Sequence, residues 1–219
     1  MFIRNTVSTP FRSTLRSLRN FSRHADPNSH HHGPVGFVGL GNMGSKMAQH
    51  FASDGHSVIV YDRSPDAVHT TVQGDSSKIS PGTLEKIGDR CSVVFSMLPN
   101  DAVVEEVSNQ ILKSAPTTST DNHKRIHVSC STISPELAKK MTKKHHEHGY
   151  HFVSAPVFAR PDGISRREAI WMLSGNVEAK SVATKFLKPL GRIEDFGEET
   201  GAANVVKLCG NFLIAVISL

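Results

Sequence analysis

The feature that most restricts this chain is a glycine pattern. Val35-Gly36-Phe37-Val38 reads as a short buried strand, Gly39-Leu40-Gly41-Asn42-Met43-Gly44 follows it at once, and a helical pattern occupies residues 45–53. A GxGxxG sequence between a strand and a helix has a mechanical meaning. Gly39 permits the tight turn, Gly41 removes a side chain where a diphosphate must reach backbone amides, and Gly44 lets helix and strand pack closely. The helix start then offers unpaired N–H groups and a partial positive charge to phosphates. These requirements suit a dinucleotide, so the expected cofactor is NAD or NADP, held by Gly39, Leu40, Gly41, Asn42, Met43 and Gly44.

The rest of the chain repeats the rhythm begun there. Short β-branched runs at residues 35–40, 57–62, 92–98 and 126–131 alternate with amphipathic segments at 45–53, 65–72, 102–112 and 135–148. Strands and helices alternating in this way form right-handed βαβ units, so the fold class is α/β: a doubly wound Rossmann domain with a mainly parallel sheet covered on both faces. Apolar runs at 151–155, 169–173 and 191–196 are expected to extend that sheet. The second strand ends in Asp62, about 20 residues beyond the loop, where a carboxylate accepts from ribose hydroxyls. The competing role for Asp62 is a cap on the next helix. Asp62 would repel a 2′-phosphate and so favours NAD, while the adjacent Arg63 could pair with that phosphate and keeps NADP open.

Charge is uneven along the chain. Residues 1–24 carry Arg4, Arg12, Arg16, Arg19 and Arg23 and no Asp or Glu. An Arg- and Ser-rich, acid-free start with interspersed apolar residues has the composition of an organellar targeting peptide, mitochondrion before plastid. Residues 1–33 are therefore expected to be targeting peptide and linker, 34–197 the nucleotide-binding domain, and 198–219 the start of a long interdomain helix. Beyond residue 33 acids and bases nearly balance, and no basic stripe with aromatics suggests nucleic-acid binding. No apolar run approaches the roughly 18 residues of a membrane span. Cys91, Cys130 and Cys209 lack CxxC spacing, and His30-His31-His32 and His145-His146-Glu147-His148 read as solvated histidines, so no metal site is expected.

Four motifs in order give the chain a resemblance, over residues 34–219, to the β-hydroxyacid dehydrogenase family, which includes 3-hydroxyisobutyrate dehydrogenases, semialdehyde reductases and the more distant 6-phosphogluconate dehydrogenases. The first is Gly36-x-x-Gly39-x-Gly41-x-Met43-Gly44. The second is Ser96-Met97-Leu98-Pro99, similar to the segment that passes beneath the adenosine half of the cofactor, which implies cofactor contacts for Leu98 and Pro99. The third is Ser131-Thr132-Ile133-Ser134-Pro135, similar to DxSTxxP, in which Ser131 and Thr132 would bind a substrate carboxylate. The fourth runs from Gly201 through Lys207 to Asn211 and matches GxxxxxKxxxN. Lys207 and Asn211 stand at i and i+4 on one helix face. The resemblance implies that the Lys207 amine exchanges a proton with the substrate hydroxyl while Asn211 holds substrate or amine by hydrogen bonds. The implied activity is NAD(P)-dependent oxidation of a small β-hydroxy acid or reduction of a semialdehyde.

Departures from the pattern qualify that reading. Ser129 stands where DxST has Asp, and could still hydrogen-bond the turn without a charge. In Ala155-Pro156-Val157-Phe158-Ala159-Arg160, Phe158 and Ala159 replace most of an SGG segment, so Phe158 narrows the pocket or shifts its preference, and Arg160 is either a carboxylate ligand or a surface residue. The last segment has apolar residues around too much of its circumference for a surface helix. The expectation is a chain lacking an all-helical C-terminal domain, which would close the cleft and make a homo-oligomer. The alternative is a non-catalytic NAD(P)-binding module.

Overall fold

The computed structural model describes residues 33–74, 77–115 and 125–217, within one compact unit, His32–Leu219. The expected targeting peptide and His30-His31-His32 lie outside the described residues. The first part of the domain alternates strand and helix: β1 Val35–Val38, α1 Gly44–Ser53, β2 Val58–Tyr61, α2 Pro65–Gly74, β3 Ile79–Pro81, α3 Leu84–Arg90, β4 Val93–Ser96, α4 Asp101–Lys113, β5 Arg125–Ser129, α5 Pro135–Glu147 and β6 Tyr150–Ser154. These strands form one six-stranded sheet in the order β3-β2-β1-β4-β5-β6, and every pair in it is parallel. That order is the doubly wound Rossmann arrangement. Strand order reverses between β1 and β4, so the connections leaving their carboxyl ends diverge and leave a crevice there.

Alternation along each strand sends residues to two cores. Val35 and Phe37 of β1, Val58 and Val60 of β2, and Val93 and Phe95 of β4 face α1. Val38, Ile59 and Val94 face α3 and α4 through Leu84, Ile87, Val107 and Ile111. A sheet buried on both faces explains why its strands are apolar throughout. Four phenylalanines fill the first core: Phe51 lies 4.8 Å from Phe95 and 5.5 Å from Phe186, ring centre to ring centre, in edge-on contacts. Arg125 closes the other end of the sheet by donating to the carbonyls of Gly88 and Asp89, which α3 leaves unpaired at its C-terminus.

Two expectations need correction. Residues 169–173 and 191–196 were expected to extend the main sheet; only the run at 151–155 does so, as β6. Ala155 and Pro156 turn the chain away, and β7 Val157–Phe158, β8 Ala169–Leu173 and β9 Gly191–Asp195 form a separate three-stranded sheet. Its β7 and β8 are antiparallel, while β8 and β9 are parallel around α7 Val177–Leu187. A short helix, α6 Pro161–Ser165, joins β7 to β8. The second correction concerns His145, which was grouped with solvated histidines. Its ring is buried and bonds to buried His127 of β5 at 2.9 Å.

That pair has only one proton arrangement. His145 Nδ1 faces the Met141 carbonyl at 2.7 Å and must donate, which leaves Nε2 to accept from His127 Nδ1–H; His127 Nε2 then accepts from the Ser96 hydroxyl at 2.9 Å. Burial pushes the His145 pKa down to about 4 and that of His127 well below the ordinary 6.5. Both rings stay neutral in the fold but charge in the unfolded chain. Their contribution is therefore present above pH 6.5 and is lost as pH falls. Urea unfolding should show stability dropping below pH 6.5 by about 1.4 kcal/mol per pH unit for each histidine, continuing for His145 toward pH 4. An imidazole titration near pH 6.5 for either ring in the folded protein, measured by NMR, would contradict this.

Candidate nucleotide site and the lysine beyond it

The crevice between β1 and β4 holds a pocket of about 650 Å³. Its rim is the glycine loop. Gly39 adopts φ +94°, a conformation that suits glycine, and a methyl group placed on it would come 2.2 Å from the Met97 carbonyl oxygen. A methyl on Gly44 would come 1.9 Å from the Gly39 oxygen. The loop is thus folded tightly against β4 and against itself. Gly41 is different: an added methyl would meet nothing within 4 Å, because that position faces the pocket. The two outer glycines allow the backbone to fold, and the middle one leaves room for a ligand to reach it.

Asp62, at the end of β2, locks the loop. Its Oδ2 accepts from the Leu40 amide at 2.7 Å and its Oδ1 from the Ser64 amide at 2.8 Å. The competing role as a helix cap belongs to Ser64, whose hydroxyl accepts from Ala67 in the first turn of α2. Each carboxylate oxygen retains a lone pair, so two neighbouring hydroxyls can still be received. All ten residues expected at the cofactor line this one pocket: 39–44, Asp62, Arg63, Leu98 and Pro99. Sequence reading missed Tyr61, Leu84 and the α4 residues Val103, Glu106, Val107 and Gln110. The α4 residues fall at i, i+3, i+4 and i+7, a spacing that marks one helix face but does not say what the face looks upon. Val103 and Val107 join Leu84 and Leu98 in an apolar floor that suits a flat base, while Glu106 and Gln110 give its edge polar groups.

The residues expected to handle substrate lie outside this pocket. Ser131 is buried, and its hydroxyl accepts from the Leu98 amide at 2.7 Å, which couples the Ser131-Thr132 turn to the pocket wall. Thr132 is exposed. Ser134 caps α5 and donates to Asp101 at the start of α4, holding the turn from its other end. Ser129, read as able to hydrogen-bond the turn, does not: its buried hydroxyl has no hydrogen-bond partner among the described residues. A further tie comes from Asn204, which sequence reading overlooked and whose Nδ2 donates to the Ile133 carbonyl at 3.3 Å.

Asn204 belongs to the last helix, α8 Ala202–Ile217. Lys207 follows it by one turn on the same face, and is buried. None of the ion pairs among the described residues includes it, and desolvation holds its pKa below the ordinary lysine value. Its Nζ stands 3.9 Å from the centre of the Phe158 ring. Asn211, one turn further, is exposed, as are Phe212 at 68% and Ile217 at 84%. No helix among the described residues is long and apolar enough to cross a membrane. Burial pushes the Cys91 thiol up to about 12 and raises Cys130 as well, so both remain protonated and unreactive.

A parallel sheet in this order, with a glycine-rimmed pocket at its switch point, defines a dinucleotide-binding Rossmann domain. Residues 34–209 match the family described as the NAD binding domain of 6-phosphogluconate dehydrogenase, and the chain belongs to that family. Among curated relatives it is 32% identical over 185 residues to the uncharacterized oxidoreductase YfjR of Bacillus subtilis, covering 82% of this chain and 62% of the relative. It is 31% identical over 183 residues to the mitochondrial 3-hydroxyisobutyrate dehydrogenase of Drosophila melanogaster, covering 83% and 54%. The solved 3-hydroxyisobutyrate dehydrogenase of Mycobacterium tuberculosis, with L-serine, superposes with a TM-score of 0.76 at 26% identity, covering 84% of this chain and 61% of that one. The chain thus spans between about half and two thirds of the length of these proteins.

The three glycines separate folding from binding. Gly44→Ala should lower stability by at least about 2 kcal/mol, because backbone has to move. Gly41→Ala should leave the thermal midpoint almost unchanged and weaken NADH or NADPH by about tenfold or more, read by nicotinamide fluorescence. Unimpaired cofactor binding by Gly41→Ala would contradict the assignment of that position to the ligand.

Proposed function

We propose that this chain is the nucleotide-binding part of an NAD(P)-dependent oxidoreductase that interconverts a small β-hydroxy acid and its semialdehyde. The observation that carries this reading is the buried Lys207 amine, with no ion-pair partner among the described residues, on a helix that Asn204 ties to the Ser131-Thr132 turn. The relatives named 3-hydroxyisobutyrate dehydrogenase support the same substrate class.

In this reading the amides of residues 39–44 receive the cofactor diphosphate, Asp62 the ribose hydroxyls, and Leu98 and Pro99 lie beneath the adenosine. Bound NAD or NADP supplies the hydride acceptor or donor. The protein's own contribution is to place and move a proton. A neutral amine is the form able to accept one, and desolvation of Lys207 enlarges that fraction. The amine takes the hydroxyl proton in oxidation and returns it in reduction. The Ser131-Thr132 turn receives the substrate carboxylate, and Asn211 steadies substrate or amine. The Arg-rich, acid-free first 24 residues support delivery to mitochondria, and the exposed apolar residues of α8 support a helical domain packing there, which would make the homo-oligomer. One observation favours the alternative of a binding module without catalysis: the Phe158 ring covers the amine.

Two measurements test the proposal. Asp62 favours NADH over NADPH by about tenfold, since a phosphate beside a carboxylate costs on the order of 1 to 4 kcal/mol and Arg63 offsets part of it. Tighter NADPH would overturn that preference. Lys207→Met should keep cofactor affinity and lose about 10² to 10⁴ in turnover of methylmalonate semialdehyde or succinic semialdehyde. Binding of cofactor with no turnover of any such compound by the unsubstituted protein would favour the module.

A further inference from the structure

We propose that Phe158 is a specificity-determining residue: seated on Gly210, its ring covers the Lys207 amine and keeps anionic groups away from that side of it. The inference rests on the reading of Lys207 as the proton-transfer group. Three observations carry it. The Lys207 Nζ lies 3.9 Å from the ring centre, in cation-π geometry. A methyl group on Gly210 would stand 2.3 Å from Phe158 Cζ, so the ring rests against the bare backbone of α8, and Gly210 is the notch that admits it. Lys207 and Gly210 are at i and i+3, on one helix face, so amine and notch are held in fixed relation to each other.

The ring's position follows from the turn at Pro156. The edge strand β7 is only two residues long; Val157 points into the core and pairs with Trp171, which leaves Phe158 half-buried and directed the opposite way, toward α8. The face of an aromatic ring carries negative electrostatic potential. It attracts the ammonium, partly offsetting the effect of burial on the amine, and it repels a carboxylate or phosphate brought to the same place. A substrate reaching Lys207 from this side therefore presents an apolar group to the ring and keeps its carboxylate for the Ser131-Thr132 turn. Carbonyl compounds whose acidic group is far enough from the reacting carbon to reach the turn while an apolar remainder faces the ring meet both conditions; those with an anion directly beside the reacting carbon do not.

Reductive alkylation of the intact chain tests this without turnover. An aldehyde condenses with a free amine, releasing water, and cyanoborohydride reduces the imine to a stable adduct that peptide mass mapping locates. Glyoxylate serves as the anionic aldehyde and isobutyraldehyde as the neutral one, with exposed Lys185 as internal reference. Phe158→Ala removes the ring, and Gly210→Ala evicts it while retaining it in the sequence. Phe158→Leu keeps apolar volume without the ring face and serves where either variant fails to fold, as judged by circular dichroism. Relative to Lys185, glyoxylate labelling of Lys207 should rise at least about tenfold in the variants, and isobutyraldehyde labelling no more than about threefold. Glyoxylate labelling within about twofold of the original chain, or an equal rise with both aldehydes, overturns the proposal. Because no catalysis is involved, failure here leaves the dehydrogenase reading intact, and failure of that reading leaves this result intact.

Discussion

Close backbone contact at the end of β1 is the constraint on which the nucleotide site depends. Gly39 passes against the Met97 carbonyl, Gly44 passes against Gly39, and neither position has room for a side chain. This contact brings the first turn of α1 to the switch point of the sheet, where its free amides and partial positive charge open onto the pocket. Asp62 then fixes the loop by accepting from the Leu40 amide. The carboxylate has two tasks at once: it holds the glycine loop in shape and keeps lone pairs available for hydroxyls.

A second layer of organisation joins this pocket to the lysine. The Ser131 hydroxyl receives the Leu98 amide on one side, and the Asn204 amide group reaches Ile133 on the other. The turn between β5 and α5 is therefore gripped by both the pocket wall and α8. The small second sheet completes the arrangement, since Ser174 at the end of β8 donates to Thr200 and accepts from Ala203, seating the first turn of α8. With its start fixed in this way, α8 carries Lys207 to a buried place against the Phe158 ring.

Much of this was legible in the sequence, for reasons tied to particular residues. The loop 39–44 and Asp62 could be read because glycine and an acid at fixed spacing answer steric and hydrogen-bonding needs that few other residues meet. Strand β3 escaped notice because three residues ending in Pro81 carry no periodicity. The second sheet was mistaken for an extension of the first because apolar runs reveal burial but not which sheet a strand joins; the turn at Ala155-Pro156 decides that. His145 was misplaced because its partner, His127, is distant in sequence and hidden in a strand. Ser129 was read as able to hydrogen-bond the turn without a charge, whereas one tie to the turn is Asn204, a contact 71 residues away from Ile133 in the chain that no local pattern records.

Backbone amide chemical shifts during a cofactor titration test the proposed nucleotide site most directly. In a ¹⁵N-labelled chain, saturating NADH should shift the amides of Gly41, Asn42, Met43 and Leu40 strongly and leave those of β8 and β9 nearly unmoved. Saturable binding that leaves the loop amides in place, or shifts confined to the second sheet, would show that the dinucleotide is held elsewhere.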